Sequence, residues 1–289
     1  MKKENSLNPR IRDFFLDMIR GMAIGIAFII PGFSGGSIAA ILGIYEKLVS
    51  AIADLFKSFK SSIRVLLPIG LGMIVGILAL LFPLGWALEA YPIPTVCIFI
   101  GLAIGGLPSV TEKLRGAHRP YYALSLLIPL MLALGLSLLP VGADVDLFNL
   151  TVGGYATLFF IGLLGSSALV VPGISGSMIL LILGYYNPIV DLATNHLLRG
   201  KDIPTSVLIL GITAIGIAVG FFLISIIMKL LLAKCPRGTY FAILGFMFGS
   251  ILEIVRSLPH VPNGWEIPAC VLTFAIGAVG VWLYSRNAE

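Results

Sequence analysis

Charge is what this chain has least of. Its 289 residues include 14 acidic and 19 basic side chains, 11% in all, where soluble domains carry about 25%. No polar stretch is long enough to fold alone, which excludes a soluble catalytic domain. Cysteine is equally scarce: Cys97, Cys235 and Cys270 are odd in number and stand apart in mostly apolar surroundings, so a disulfide framework is not indicated. His118, His196 and His260 fall in loops without ligand spacing, and neither a metal site nor a cofactor is expected. The opening "MKKENSLNPRIRDFFLDMIR" is too polar for a signal peptide and shows no cleavage site. It is expected to be a cytoplasmic lead-in with Ile11, Phe14, Phe15 and Met18 along the membrane surface.

Apolar side chains take the place of the missing charge. They make up 58% of the chain, with a mean hydropathy of +1.04. The expected class is an all-α polytopic membrane protein, one membrane domain over residues 1–289. At about 20 residues per crossing, six segments qualify: Leu66–Leu88, Ile93–Val110, Tyr121–Val141, Ser206–Met228, Tyr240–Leu252 with its flanks, and Ile267–Tyr284. The net charge of +5 sits in loops beside these segments, where it orients the chain and meets anionic lipid. Membrane lipids are therefore expected partners and nucleic acid is not. A homo-oligomer is compatible with the sequence.

Two apolar runs are interrupted by nearly the same motif. "PGFSGGS" starts at Pro31 and "PGISGS" at Pro172, 141 residues later. Met22–Ile30 before the first break and Ile38–Tyr45 after it are each under ten residues. At about 1.5 Å per residue neither spans a core of about 30 Å. Such halves make either a broken crossing or a hairpin that returns to its own face. Hairpins would gather sixteen of the 19 Lys and Arg on one face, leaving Arg199, Lys201 and Arg256 on the other; broken crossings would split them nine against ten. The positive-inside rule favours re-entrant hairpins, at about 17–56 and 155–192, with both termini cytoplasmic. The loops "EAYPIP" and "GADVDLFN", which carry no Lys or Arg, fit the outer face.

The duplication runs further. At an offset of 144, "PIPTVCIFIGLAIG" meets "PRGTYFAILGFMFG". Repeat 1 covers about 14–141 and repeat 2 about 153–286, each a hairpin plus three crossings. An odd number of crossings turns the second copy upside down, and inverted-topology repeats with breaks near the midplane are secondary-transporter architecture.

The residues of the break suit an anion. Pro31 stops the preceding helix, Gly32, Gly35 and Gly36 permit unusual backbone turns, and Ser34 or Ser37 can cap the half-helix that follows. The N–H groups at its start attract negative charge, the more so beside hydroxyls. Pro172, Gly173, Ser175, Gly176 and Ser177 repeat the arrangement. The bland alternative is close packing by small residues. "GLGMIVG" (Gly70–Gly76) lies inside a span and reads as helix packing rather than a nucleotide fingerprint. Tyr45 and Tyr186 share a repeat position, as interfacial anchors or as pathway lining. Glu46, whose counterpart is Asn187, either snorkels with Lys47 or is a titratable group that couples protons to transport. Arg20 is either a positive-inside anchor or a cation that attracts a headgroup.

At "RGMAIGIAFIIPGFSGGSIAAILGIYEKL", "FIGLAIGGLPSV" and "ALVVPGISGSMILLILGYY" the chain resembles the bacterial polyprenyl-phosphate transporter family, long catalogued as a domain of unknown function. The resemblance covers nearly the whole chain. It implies transport of undecaprenyl phosphate, the lipid carrier of cell-wall and surface glycan synthesis, back from the outer to the inner leaflet of the bacterial cytoplasmic membrane, without catalysis. It also implies two re-entrant hairpins in inverted repeats. The headgroup contacts it implies are Pro31, Gly32, Ser34, Gly35, Gly36, Ser37, Pro172, Gly173, Ser175, Gly176 and Ser177, with Arg20 and Glu46 beside them.

Two other classes fit less well. The break resembles in outline the Pro-Gly-x-Ser-Arg-Ser-Gly loop of undecaprenyl-pyrophosphate phosphatases. Here Gly35 and Gly176 stand at the arginine's place, and pyrophosphate cleavage would lack its transition-state cation. A transporter or channel for a small inorganic anion would use the same facing half-helix ends.

Overall fold

The structure, a computed structural model, describes residues 9–29, 34–116, 121–197, 199–256, 258 and 260–288. Every described element is a helix: α1 (Pro9–Ile29), α2 (Gly35–Ile41), α3 (Tyr45–Ala53), α4 (Phe59–Ala90), α5 (Pro92–Thr111), α6 (Tyr121–Leu138), α7 (Val152–Val170), α8 (Gly176–Ile182), α9 (Tyr186–Asp191), α10 (Ile203–Lys234), α11 (Pro236–Arg256) and α12 (Glu266–Ala288). Short irregular turns follow α5 (Glu112–Leu114) and α9 (Leu192–Leu197). Six helices are long and apolar enough to cross a membrane, α4, α5, α6, α10, α11 and α12. They are the six segments expected from hydropathy, and the protein is an all-α polytopic membrane protein.

The chain forms two compact units. One holds Met1–Ile30, Gly35–Gly116 and Ile254–Glu289; the other holds Pro31–Ser34 and Ala117–Glu253. In the first, α1 packs on α4 and α5 on α12; in the second, α7 packs on α10 and α6 meets α11. Each unit therefore includes the last helix of the other sequence repeat, α12 in the first and α6 in the second.

Glycine sets these pairings, because with no hydrophobic drive between helices in lipid, close backbone approach supplies the contact. A Cβ at Gly72 or Gly76 of α4 would collide with the backbone of Met18 or Met22 in α1, and one at Gly216 or Gly220 of α10 with that of Phe159 or Leu163 in α7. These contacts correspond residue for residue at the repeat offsets of 141 and 144. Gly101 and Gly105 approach Phe274 and Ala278 in the same manner, while Gly245 approaches Leu126 and Gly249 Ala133. "GLGMIVG" is thus a packing face, with Gly70 alone in open space. Cys97 and Cys270, far apart in sequence, meet across α5 and α12 as free thiols.

The helices that lead into the two breaks are longer than the expected half-spans. α1 has 21 residues and α7 has 19, about 32 and 28 Å of helix. The lead-in is not a separate surface segment: α1 starts at Pro9 and carries exposed Ile11, Phe14 and Phe15 on its first turns. Its apolar stretch beyond Arg20 is nonetheless only Gly21–Ile29.

After each break the chain doubles back. In the first unit Lys47 at the start of α3 returns to ion-pair with Asp17 of α1. In the second, Leu192 beyond α9 buries itself against Leu158 of α7, with Tyr155 and Ile189 packed around them. Leu158 is the repeat counterpart of Asp17, so one unit closes its hairpin with charge and the other with hydrocarbon. The returning arms are themselves bent, at Gly43 (φ +69°) and Gly184 (φ +76°), and the second bend measures 110° between α8 and the helix that continues to Leu197. Only glycine takes such a backbone without strain.

Aromatic side chains cluster at helix ends, as they do where a membrane meets water. Trp86, Tyr91 and Trp265 stack edge to face in series, and Tyr122 stacks on Phe241 with centroids 5.0 Å apart.

Candidate functional site

Pro31 and Gly32 lie outside the described residues. From Ser34 onward the first motif is buried: Ser34 is 4% exposed and Gly35, Gly36 and Ser37 open the fully buried α2. Gly35 rests against the Phe28 ring of α1, with no room for a Cβ. The Ser37 hydroxyl, 3% exposed, has no hydrogen-bond partner among the described residues. A buried hydroxyl left unpaired costs about 1–3 kcal/mol.

The second motif has better-defined geometry. Pro172 is fully buried. Gly173 adopts φ +85° and faces the Phe246 carbonyl of α11 so closely that a Cβ could not fit. Ser175 is the N-cap of α8: its hydroxyl accepts from Met178 N–H at 3.4 Å and lies 2.9 Å from the Ser177 hydroxyl. Gly176 is buried behind them. α2 and α8 have seven residues each, so what they offer is the N–H groups of one first turn rather than a long aligned dipole. Ser34 of the first copy approaches the second, its hydroxyl 3.5 Å from the Val171 carbonyl, long for a hydrogen bond but close contact.

Two cavities border the second motif. A narrow cleft beside Gly173, Ser175 and Met178 is lined from α6 by Ala133 and Leu136 and from α11 by Glu253. An almost wholly apolar groove of about 570 Å³ runs between α6, α10 and α11 and ends at Val171 and Ile174.

Arg20 and Glu46 both belong to the first unit. Arg20 Nε donates to the Tyr284 hydroxyl of α12 at 2.8 Å, and its Nη1 to Asp17 at 3.2 Å. Asp17, 4% exposed, also accepts from Lys47 Nζ at 2.5 Å. Arg20 is thus a tie between α1 and α12. Glu46 is exposed on the first turn of α3, where an acidic side chain suits a helix N-terminus. Tyr45 is 2% exposed, so it packs inside its unit instead of anchoring at an interface; Tyr186 is half-buried.

Three participants escaped sequence reasoning. Asp17 carries a signal, three residues before Arg20 on one helix face, but its pairing with Lys47, 30 residues on, does not follow from spacing. Tyr284 gives no signal at all. Glu253 does, as the single carboxylate of the apolar α11, since an ionisable group in such a helix is a functional candidate by default. Among the described residues no three His, Cys, Asp or Glu side chains converge as a metal ion requires.

The chain is 36% identical over 111 residues to the polyprenyl-phosphate transporter of Vibrio cholerae serotype O1, covering 34% of this chain and 35% of that one. It is 30% identical over 95 residues to the polyprenyl-phosphate transporter of Staphylococcus aureus, covering 32% and 34%. The matches thus span about a third of the length of each relative. No solved structure matches the chain. The names of the relatives are those of transporters, not enzymes. A family model described as VCA0040-like, undecaprenyl phosphate translocase-like, matches residues 24–260, and the chain belongs to that family.

Proposed function

We propose that the protein moves undecaprenyl phosphate between the leaflets of the bacterial cytoplasmic membrane, with both termini in the cytoplasm, and so returns the lipid carrier of cell-wall and surface glycan synthesis. The headgroup passes through the two motif copies, which meet it in turn by alternating access in inverted repeats. The isoprenoid tail stays in hydrocarbon. A phosphate monoester carries between one and two negative charges, which lipid will not admit, so a protein that supplies hydroxyls and bare N–H groups at the headgroup removes most of the barrier.

The observation that carries this reading is the buried hydroxyl of Ser37 at the start of α2, which has no hydrogen-bond partner among the described residues. Ser175, which lines a narrow cleft in the second copy, and Ser177, whose hydroxyl lies 2.9 Å from it, supply the matching donors. The apolar groove that ends at Val171 and Ile174 favours a lipid over a small inorganic anion, which would have no use for it. A pyrophosphatase is disfavoured by Gly35 and Gly176, which stand where the phosphatase loop has its arginine.

Purified protein in vesicles tests the reading. Wild type is expected to speed leaflet exchange of polyprenyl phosphate, and the double variant Gly36→Val/Ser175→Val to abolish it while still inserting. Unchanged exchange in that variant, or anion conductance without lipid exchange in wild type, would overturn it.

A further inference from the structure

The two repeats differ where it matters for driving force. The offset of 144 that superimposes Gly105 on Gly249 brings Glu253 onto Ser109, so only the second repeat carries a carboxylate at that position. Glu253 is half-buried on α11 and lines the same cleft as Gly173, Ser175 and Met178. It makes no ion pair or hydrogen bond among the described residues. Among the described residues that line this cleft no other is charged: Ala133 and Leu136 come from α6, and Gly173, Ile174, Ser175, Met178 and Ile179 from the second break and α8. On its own helix the nearest charge is exposed Arg256, three residues on.

A carboxylate beside a hydroxyl pair repels an incoming phosphate, whereas a carboxylic acid donates to it. Building on the transport reading, we propose that Glu253 is the proton-binding residue of the second motif: protonated, it lets the headgroup bind at Ser175 and Ser177, and ionised, it expels it. Binding of proton and phosphate then favour each other by the same factor. A proton taken up by Glu253 from one side and released to the other, with no covalent change in the lipid, couples the leaflet exchange to the pH gradient. Glu46, exposed on α3, has no part in this.

The test uses purified full-length protein and farnesyl phosphate, a short polyprenyl phosphate, with calorimetric titrations from pH 7.0 to 8.5. Above its second pKa of about 6 the phosphate is almost fully dianionic, so the remaining pH dependence belongs to the protein. Wild type is expected to lose affinity about tenfold per pH unit and to take up one proton per headgroup bound. Glu253→Gln is expected to be flat with no uptake, Glu253→Asp to restore the slope, and Glu46→Gln to keep it. In vesicles the acceleration of exchange by a pH gradient should disappear in Glu253→Gln alone. A slope that survives in Glu253→Gln, or a wild type that binds without proton uptake, overturns the proposal; if Glu253→Gln cannot be purified, the wild-type proton count decides. A wild type that neither binds nor exchanges the lipid at any pH overturns the transport reading itself, a distinguishable result.

Discussion

Replacing Asp17 with Asn should unlatch the first hairpin. The carboxylate is 4% exposed and holds Arg20 at 3.2 Å and Lys47 at 2.5 Å, joining α1 to α3 and, through the Arg20–Tyr284 bond, to α12. Breaking a fully buried ion pair by removal of one partner costs about 3–5 kcal/mol. The figure here is smaller, because the Lys47 side chain is 43% exposed and can turn to water, and Arg20 keeps Tyr284 at 2.8 Å. About 2–3 kcal/mol remains for Asp17→Asn. At about 2–4 °C per kcal/mol for a chain of this size, thermal unfolding in detergent at a fixed scan rate should fall by about 4–12 °C. Lys47→Met added to Asp17→Asn removes the stranded cation, so the double variant should be less destabilised than the sum of the two single variants by about 1 kcal/mol or more. Leaflet exchange should slow in parallel, since α3 no longer returns to a fixed place. A melting temperature for Asp17→Asn within about 2 °C of wild type, or strict additivity, would refute the idea that this pair latches the hairpin.

Two further outcomes separate geometry from composition. Gly173→Ala meets both a left-handed φ of +85° and the Phe246 carbonyl, and should cost more than the roughly 1–2 kcal/mol of left-handed strain alone. Gly43→Ala, at φ +69° with nothing within 4 Å of its Cβ, should cost only that strain; equal melting shifts would mean that the contact with α11 does not matter. Single cysteines placed at Lys57 or Arg64 and at Arg199 or Lys201 should label from opposite faces of sealed vesicles, and labelling from the same face would restore broken crossings.

What was legible in the sequence is what the chain says twice. The six spans follow from hydropathy, the breaks from a motif written at Pro31 and again at Pro172, and the packing role of "GLGMIVG" from its place inside a span, whereas the partners of its glycines do not follow from the sequence. The returning bends at Gly43 and Gly184 were also written twice, in "ILGIYEK" and "ILGYYNP", yet a lone glycine in an apolar run does not distinguish a packing face from a turn. The length of α1 was hidden for a different reason. Its first three turns mix charge with exposed apolar residues, a pattern shared by a surface helix and by the outer end of a buried one, and only the Asp17–Lys47 contact tells which.

Asp17 and Glu253, which sequence reasoning missed, lie where the copies disagree, as does Glu46, which it read. Symmetric positions must serve both halves, so they are limited to what the packing of both requires. Asp17 against Leu158, Lys47 against Pro188 and Glu253 against Ser109 are free of that limit. The first two differences latch one hairpin with ions where the other is latched with leucine. Because an ion pair weakens with screening and a hydrophobic contact does not, added salt should loosen the first hairpin and spare the second. Glu253, by contrast, stands in the cleft of the second motif, and its counterpart Ser109 brings no carboxylate to the first.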